Sequence, residues 1–200
     1  MEASRIHSAA GRSLHGGLIG RPPFRAPHHT ATLVSLVGGG TDAMRPGDVL
    51  ATRKGLTVEV GNTDAEGRLI LSDALTRAGE LSPALTIDMA TLTGAARVAL
   101  GPQVIPFFTD DDVLADQITA ASRAVNDPLW RLPLWAGYEE ALDGDVADLK
   151  NDPDAWAQAG SVTAGLFLKR FAPPGPWVHL DIFAWNPKGR PGYPVGGEAQ

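Results

Sequence analysis

The chain contains no cysteine, which excludes disulfides, thiolate metal sites and a cysteine nucleophile. It has no apolar run approaching the ~18 residues that a membrane-spanning helix requires, so a membrane protein is not expected. Residues Met1 to Gly11 hold no continuous apolar core, and a secretory signal is therefore not expected either. Nowhere does the pattern G-x-x-x-x-G-K-[ST] occur. Without that glycine loop and its lysine there is no cradle for nucleotide phosphates. Clustered positive charge is also lacking beyond residue 40, where 22 acids face 13 basic residues, and this argues against a nucleic-acid surface.

What remains is the composition of a globular protein, 44% hydrophobic and 20% charged over 200 residues, long enough for one domain or one domain plus a fragment. With no export signal, a cytoplasmic protein is the default expectation. The charge is unevenly placed. Residues 1–40 carry four arginines, one acid and four of the five histidines, and they end at Gly38-Gly39-Gly40. Such an asymmetry at a glycine run reads as a junction between segments of different origin, 1–40 and 41–200.

The densest chemistry lies at Asn62-Thr63-Asp64-Ala65-Glu66-Gly67-Arg68, followed by the run Leu69-Ile70-Leu71. Carboxylates two residues apart across a turn can converge on one cation, and an arginine two residues further on can hold an anion beside it. A plainer reading exists, because Thr63 with Glu66 fits the S/T-x-x-E capping box and would simply start a helix. The two readings are compatible, since a capped helix start is a rigid place for ligands.

The whole string from Asn62 to Leu69 resembles the signature of the leucyl (cytosol) aminopeptidase family. Met44-Arg45-Pro46-Gly47-Asp48-Val49 and Thr57-Val58-Glu59-Val60 resemble family segments upstream of it. Downstream, Asp88 to Ala95, Ala147 to Asn151, Ala164 to Leu168 and His179 to Ile182 follow in the family's order. The resemblance spans about 41–200. It implies an α/β fold, with a mixed, mostly parallel sheet flanked by helices: a truncated two-metal aminopeptidase catalytic domain. It implies removal of N-terminal amino acids from peptides with a free N-terminus, using two divalent ions, manganese or zinc. Asp64 would bind one ion and Glu66 would bridge both. Arg68 would hold a bicarbonate that takes the attacking water's proton, while Thr91, Leu92 and Gly94 would place the substrate. A homo-oligomer, a hexamer in the family, is the implied assembly.

Against this, the family's three further ligands, a lysine and two aspartates in motifs resembling G-K-G-x-x-x-D and M-K-x-D-M-x-G-A, are absent from this sequence, as is its second lysine. Two carboxylates do not close two metal sites, because each ion takes four or more ligands. Asp42 and Asp48 read as turn residues beside Pro46-Gly47. Residues 1–40, notably Arg21 to Thr30, resemble instead a stretch of the magnesium-chelatase-like AAA+ ATPases, but neither nucleotide-binding motif accompanies it. There, three prolines between Arg21 and Pro27 forbid a helix, and His28-His29 reads as part of a solvated loop. The sequence therefore predicts an aminopeptidase-family chain of impaired activity. The alternatives are a non-catalytic oligomerising module and, resting on residues 1–40 alone, an ATPase-related regulator.

Periodicity predicts strands near 56–60, where Leu56, Val58 and Val60 alternate with Thr57 and Glu59, and near 84–89, 103–108 and 177–183. Helices are expected from the signature to Gly79, with Leu69, Leu71, Ala74, Leu75 and Ala78 at helical spacing; from an N-cap at Asp110 through Asn126, with Val113, Leu114, Gln117, Ile118, Ala121 and Val125 along one stripe; at Tyr138–Leu142; and from Trp156 to Phe171. Asn186 to Pro194 should be a loop. Gly160 and Gly165 suggest close packing of the last helix against a neighbour. On the final strand, alternation puts His179 and Asp181 on one face, as a core or interface polar pair rather than a relay.

Overall fold

Two short sheets carry the structure, a computed structural model that describes residues 44–153, 158–186, 188–189, 191 and 194–196. The expectations for 1–40, for Asp42, for Trp156 as a helix start and for part of the 186–194 loop lie outside the described residues. The first sheet is built from β1 (Val49–Ala51), β2 (Thr57–Glu59) and β6 (Leu149–Lys150), in the order β1-β2-β6. β1 and β2 pair antiparallel, Val49 opposite Glu59, around a turn where Gly55 takes φ 88°. β6 adds parallel to β2. The predicted alternation on β2 holds, with Val58 and Val60 buried and Thr57 and Glu59 half-buried. Asp48 is the turn residue expected, its carboxylate accepting the Arg45 amide at 2.8 Å.

The second sheet has the order β3-β7-β4-β5, from β3 (Thr86–Ala90), β4 (Ile105–Phe108), β5 (Leu129–Arg131) and β7 (Trp177–Asp181). β3 with β7 and β4 with β5 are parallel, whereas β4 with β7 is antiparallel, which makes the sheet mixed and mostly parallel. All four residues of β4 are buried, as a strand covered on both faces requires. α3 (Asp112–Val125) covers one face through Ala115, Leu114 and Ile118 against Phe107 and Val178.

The other face meets α4 (Gly160–Lys169), in which seven of the eight residues from Ser161 to Leu168 are buried, all but Val162. A helix apolar all round belongs inside a core. Leu166, Phe167 and Leu168 share that core with Leu69 and Leu75 of α1 (Glu66–Gly79), Leu142, Leu149 and Trp177. Each such side chain contributes roughly 1.5–3 kcal/mol on burial. Gly165 is where helix and sheet touch: a Cβ there would lie 3.1 Å from both Phe108 and Leu134. The expected close packing is thus observed, and Gly160 makes a similar approach to Ala95, at 3.3 Å.

Several local expectations shift. Of the stripe expected on α3, Val113 and Val125 are 68% and 73% exposed, and Ala115 and Ser122 take the inward positions. Ser122 tolerates burial because its hydroxyl donates to Asp127 O and accepts from Leu129 N. Its N-cap is Asp111, not Asp110, with the carboxylate accepting the Leu114 amide at 2.9 Å. On α1, Ser72 replaces the expected Ala74 in the core and bonds to Leu69 O. The 136–142 segment, Ala136–Leu142, is a 3-10 helix beginning two residues before the expected start, and α4 begins at Gly160.

Candidate functional site

Between β2 and α1 the chain makes a single 3-10 turn, Thr63–Ala65, with Asn62 as its cap: the Asn62 side chain accepts from the Asp64 amide at 2.9 Å. The Thr63/Glu66 capping box does not form. The residue before α1 is Ala65, which caps nothing with its side chain. The tight turn leaves Asp64 exposed, Glu66 half-buried and Arg68, one helical turn in, at 5% exposure.

The turn is held from the far end of β6 by Asn151, which is fully buried. Its Oδ1 accepts from the Gly61 and Asn62 amides at 2.9 and 3.2 Å, and its Nδ2 donates to Asn62 O and Ala65 O at 2.7 and 3.3 Å. Its own amide donates to Glu59 O at 3.0 Å, and its carbonyl accepts from Arg68 Nη1 at 2.5 Å. Arg68 also lies 3.7 Å from an Asp152 carboxylate oxygen. Burial pulls the guanidinium below its ordinary value, opposed by the charges of Asp152 and then Asp181. An arginine side chain keeps its proton in proteins, so Arg68 remains a cation at neutral pH.

A second loop, Thr91–Thr93, leaves the end of β3 and opens α2 (Gly94–Leu100). Asp181, buried at the end of β7, accepts from the Leu92 and Thr93 amides, both at 3.0 Å, from the Thr93 hydroxyl at 2.6 Å and from the Ser161 hydroxyl at 3.2 Å. Thr93 in turn caps α2 by accepting the Ala96 amide. The predicted polar face of β7 is therefore real, but its two members serve different partners. His179 Nδ1 lies 2.6 Å from Asp88, whose other oxygen accepts from Trp177 Nε1 at 2.7 Å. His179 is engaged by Asp88, and Asp181 by two amides and two hydroxyls, so the two do not act on each other as a relay.

Between the two loops lies a cleft of about 220 Å³. Asp64, Arg68, Leu92 and Gly94 line it, together with Asn62, Thr93, Asp152 and Gly160. Glu66 and Thr91 are not among the lining residues, although each adjoins one that is. Asn151, Asp152, Thr93 and Asp181 are the residues that sequence reasoning missed. The strings containing Asn151 and Asp181 were visible as family-like segments, but nothing in them said what they would hold.

The donor set does not fit a two-ion centre. Among the described residues no group of three or more histidine, aspartate or glutamate side chains could hold a metal ion. Asp64 and Glu66 remain without a third partner of that kind.

A family model for the catalytic domain of the cytosol aminopeptidase family matches residues 31–197. The chain belongs to the cytosol aminopeptidase family. A model of magnesium chelatase, subunit ChlI, matches residues 1–59, so the two matches overlap. A probable cytosol aminopeptidase of Syntrophotalea carbinolica is 40% identical over 98% of this chain and 40% of its own length. The crystal structure of the cytosol aminopeptidase from Coxiella burnetii is 51% identical, with a TM-score of 0.76 over 80% of this chain and 35% of that one. A bottromycin maturation enzyme in complex with Mn is 40% identical, with a TM-score of 0.72 over 81% of this chain and 36% of its own. The chain thus spans about two fifths of the length of the curated relatives it matches. The fold is that of the family's catalytic domain, and the family is one of metal-dependent peptidases that act on peptides. No described helix is long and apolar enough to cross a membrane.

Proposed function

We propose that this chain derives from a cytoplasmic metalloaminopeptidase and that, as it stands, it removes N-terminal residues from peptides poorly or not at all. The observation that carries this reading is the disparity between the cleft and its ligands. Asp64 sits on a turn clamped by Asn151, with Arg68 just beyond it on α1, yet no third metal-binding side chain joins Asp64 and Glu66 among the described residues. Rigid walls without a closed ligand set support binding more readily than two-ion hydrolysis. In this reading Asp64 and Glu66 are the remaining metal ligands, Arg68 the anion holder, and Thr91, Leu92 and Gly94 the substrate-placing residues of residues 41–200. The test is the metal content of the chain after dialysis against manganese and against zinc, paired with hydrolysis of leucine p-nitroanilide. The expected result is fewer than two ions per chain and no turnover above the blank. Two ions per chain, with turnover abolished by Glu66→Ala, would refute it.

A second reading, a non-catalytic oligomerising module, is favoured by the outer side of β3. That strand pairs only with β7 among the described residues, and Ile87 and Met89 are 56% and 64% exposed. An apolar edge of this kind pairs readily with another chain. A discrete oligomer in light scattering, with no hydrolysis, would support this reading over the first.

A further inference from the structure

Two fully buried side chains outside the signature use their polar groups on the walls of the cleft. Asn151 engages all four of its hydrogen-bonding groups: amide to Glu59, carbonyl to Arg68, and the two side-chain atoms to the 61–65 turn. Asp181 does the same for the opposite wall, with one oxygen taking the Leu92 and Thr93 amides and the other the Thr93 and Ser161 hydroxyls. Apart from the Asp181–Ser161 bond, which joins two different elements, these bonds span 83 to 92 residues of sequence, so neither bond set is local. A buried amide satisfied on both sides is rigid, because any movement strands a donor or acceptor in a dry place. A reaction site held by such a supporting shell keeps its geometry.

We propose that Asn151 and Asp181 are positioning residues, Asn151 for the turn bearing Asp64 and Arg68 and Asp181 for the Leu92–Thr93 loop. Neither touches substrate, and each acts through the wall it fixes. The inference rests on the reading of this cleft as the family's reaction site. Asn151 must be an amide: a carboxylate would keep the acceptor for the Gly61 and Asn62 amides but face the carbonyls of Asn62 and Ala65 with no hydrogen to give. A protonated carboxyl supplies one donor and one acceptor, and so restores one of the two donations, that to Asn62 O, which is the shorter at 2.7 Å.

The test is amide hydrogen exchange on the full chain, for wild type, Asn151→Asp and Asp181→Ala, with β4 and β7 protection as the check that each variant is folded. Asn151→Asp should lower protection at Gly61, Asn62 and Asp64 at least tenfold at neutral pH and leave Leu92 and Thr93 unchanged. Asp181→Ala should do the reverse. Lowering the pH through the range of the introduced carboxyl should recover part of the lost protection in Asn151→Asp, a response the wild type lacks. The charged groups around that position are Arg68, Asp64, Asp152, Lys150 and Glu59, the last already engaged by the Asp145 and Val146 amides. Loss of protection spread evenly over both loops and α1, or a loss indifferent to pH, would overturn the clamp. Leucine amide titrated into the wild type should shift the Leu92–Ala95 and Gly61–Arg68 signals. Absence of those shifts would overturn the reaction-site reading, and with it the positioning role, while leaving the exchange result to judge the clamp itself. Should Asp181→Ala fail to fold, Asp181→Asn retains an acceptor for the amides and is expected to loosen only Thr93 and Ser161, whose hydroxyls lose theirs.

Discussion

Replacing Gly165 by alanine sets two effects of known size against each other. In a helix interior, alanine is favoured over glycine by about 1 kcal/mol. The new Cβ would stand 3.1 Å from Phe108 Cδ1, 3.2 Å from its Cγ and 3.1 Å from Leu134 Cδ2, tighter than ordinary contact on two sides. Leu134 is half-buried and can turn away. Phe108 is fully buried with its ring stacked 5.9 Å from that of His179, and His179 is itself held by Asp88, so the ring has nowhere to go. Overpacking of this kind costs about 1–3 kcal/mol. The clash therefore wins, and Gly165→Ala should destabilise the chain by about 1 kcal/mol, or a loss of about 2–4 °C in Tm for a protein of this size. Gly160→Ala is the control. It meets only Ala95 at 3.3 Å, at the first position of the helix, and should fall within about 0.5 kcal/mol of wild type. Urea and thermal unfolding followed by tryptophan fluorescence give both numbers. Stabilisation by Gly165→Ala would mean that helix and sheet are not in contact there, and the packing argument would be wrong.

Two further outcomes are expected. Glu80 accepts from Arg53 and Arg77, and these bonds push its carboxyl down to about 2 from an ordinary value near 4.5. A lowered folded value contributes stability above the ordinary one and loses it as the pH falls toward the folded one. Acid titration of Tm between pH 4.5 and 2 should therefore fall more steeply in wild type than in Glu80→Gln. Trp177→Phe removes the indole donor from the Asp88 carboxylate, which is only 10% exposed, and should cost about 1.5–3 kcal/mol in urea unfolding. The same change at Trp130, 61% exposed, should cost under about 0.5 kcal/mol.

The strands that alternate or run apolar for five or six residues were legible, because burial on one or both faces imposes that pattern. The strands β1, β5 and β6 span three residues or fewer and lack the flanking alternation that 56–60 gives β2, and they exist because neighbours pair with them. Helix faces were misplaced where a serine satisfied its own hydroxyl, as Ser72 and Ser122 do, and so entered the core against its polarity. The capping box failed for a related reason: Asn62, tied down by Asn151 and Asp152, starts the turn earlier than Thr63 could.

By itself, the sequence determined the family, the α/β class and the position of the acid-rich turn ahead of α1, since these rest on residue identity and on periods of two and 3.6. Only the tertiary structure decided which residues stand around that turn. It set Asn151 beneath Asp64 and Arg68, put Asp181 behind Leu92 and Thr93, and left Glu66 off the cleft lining. The physical reason is range. A helix or strand pattern is written within a dozen residues, whereas the buried hydrogen bonds that shape the cleft join positions up to 90 apart, and nothing local announces their partners.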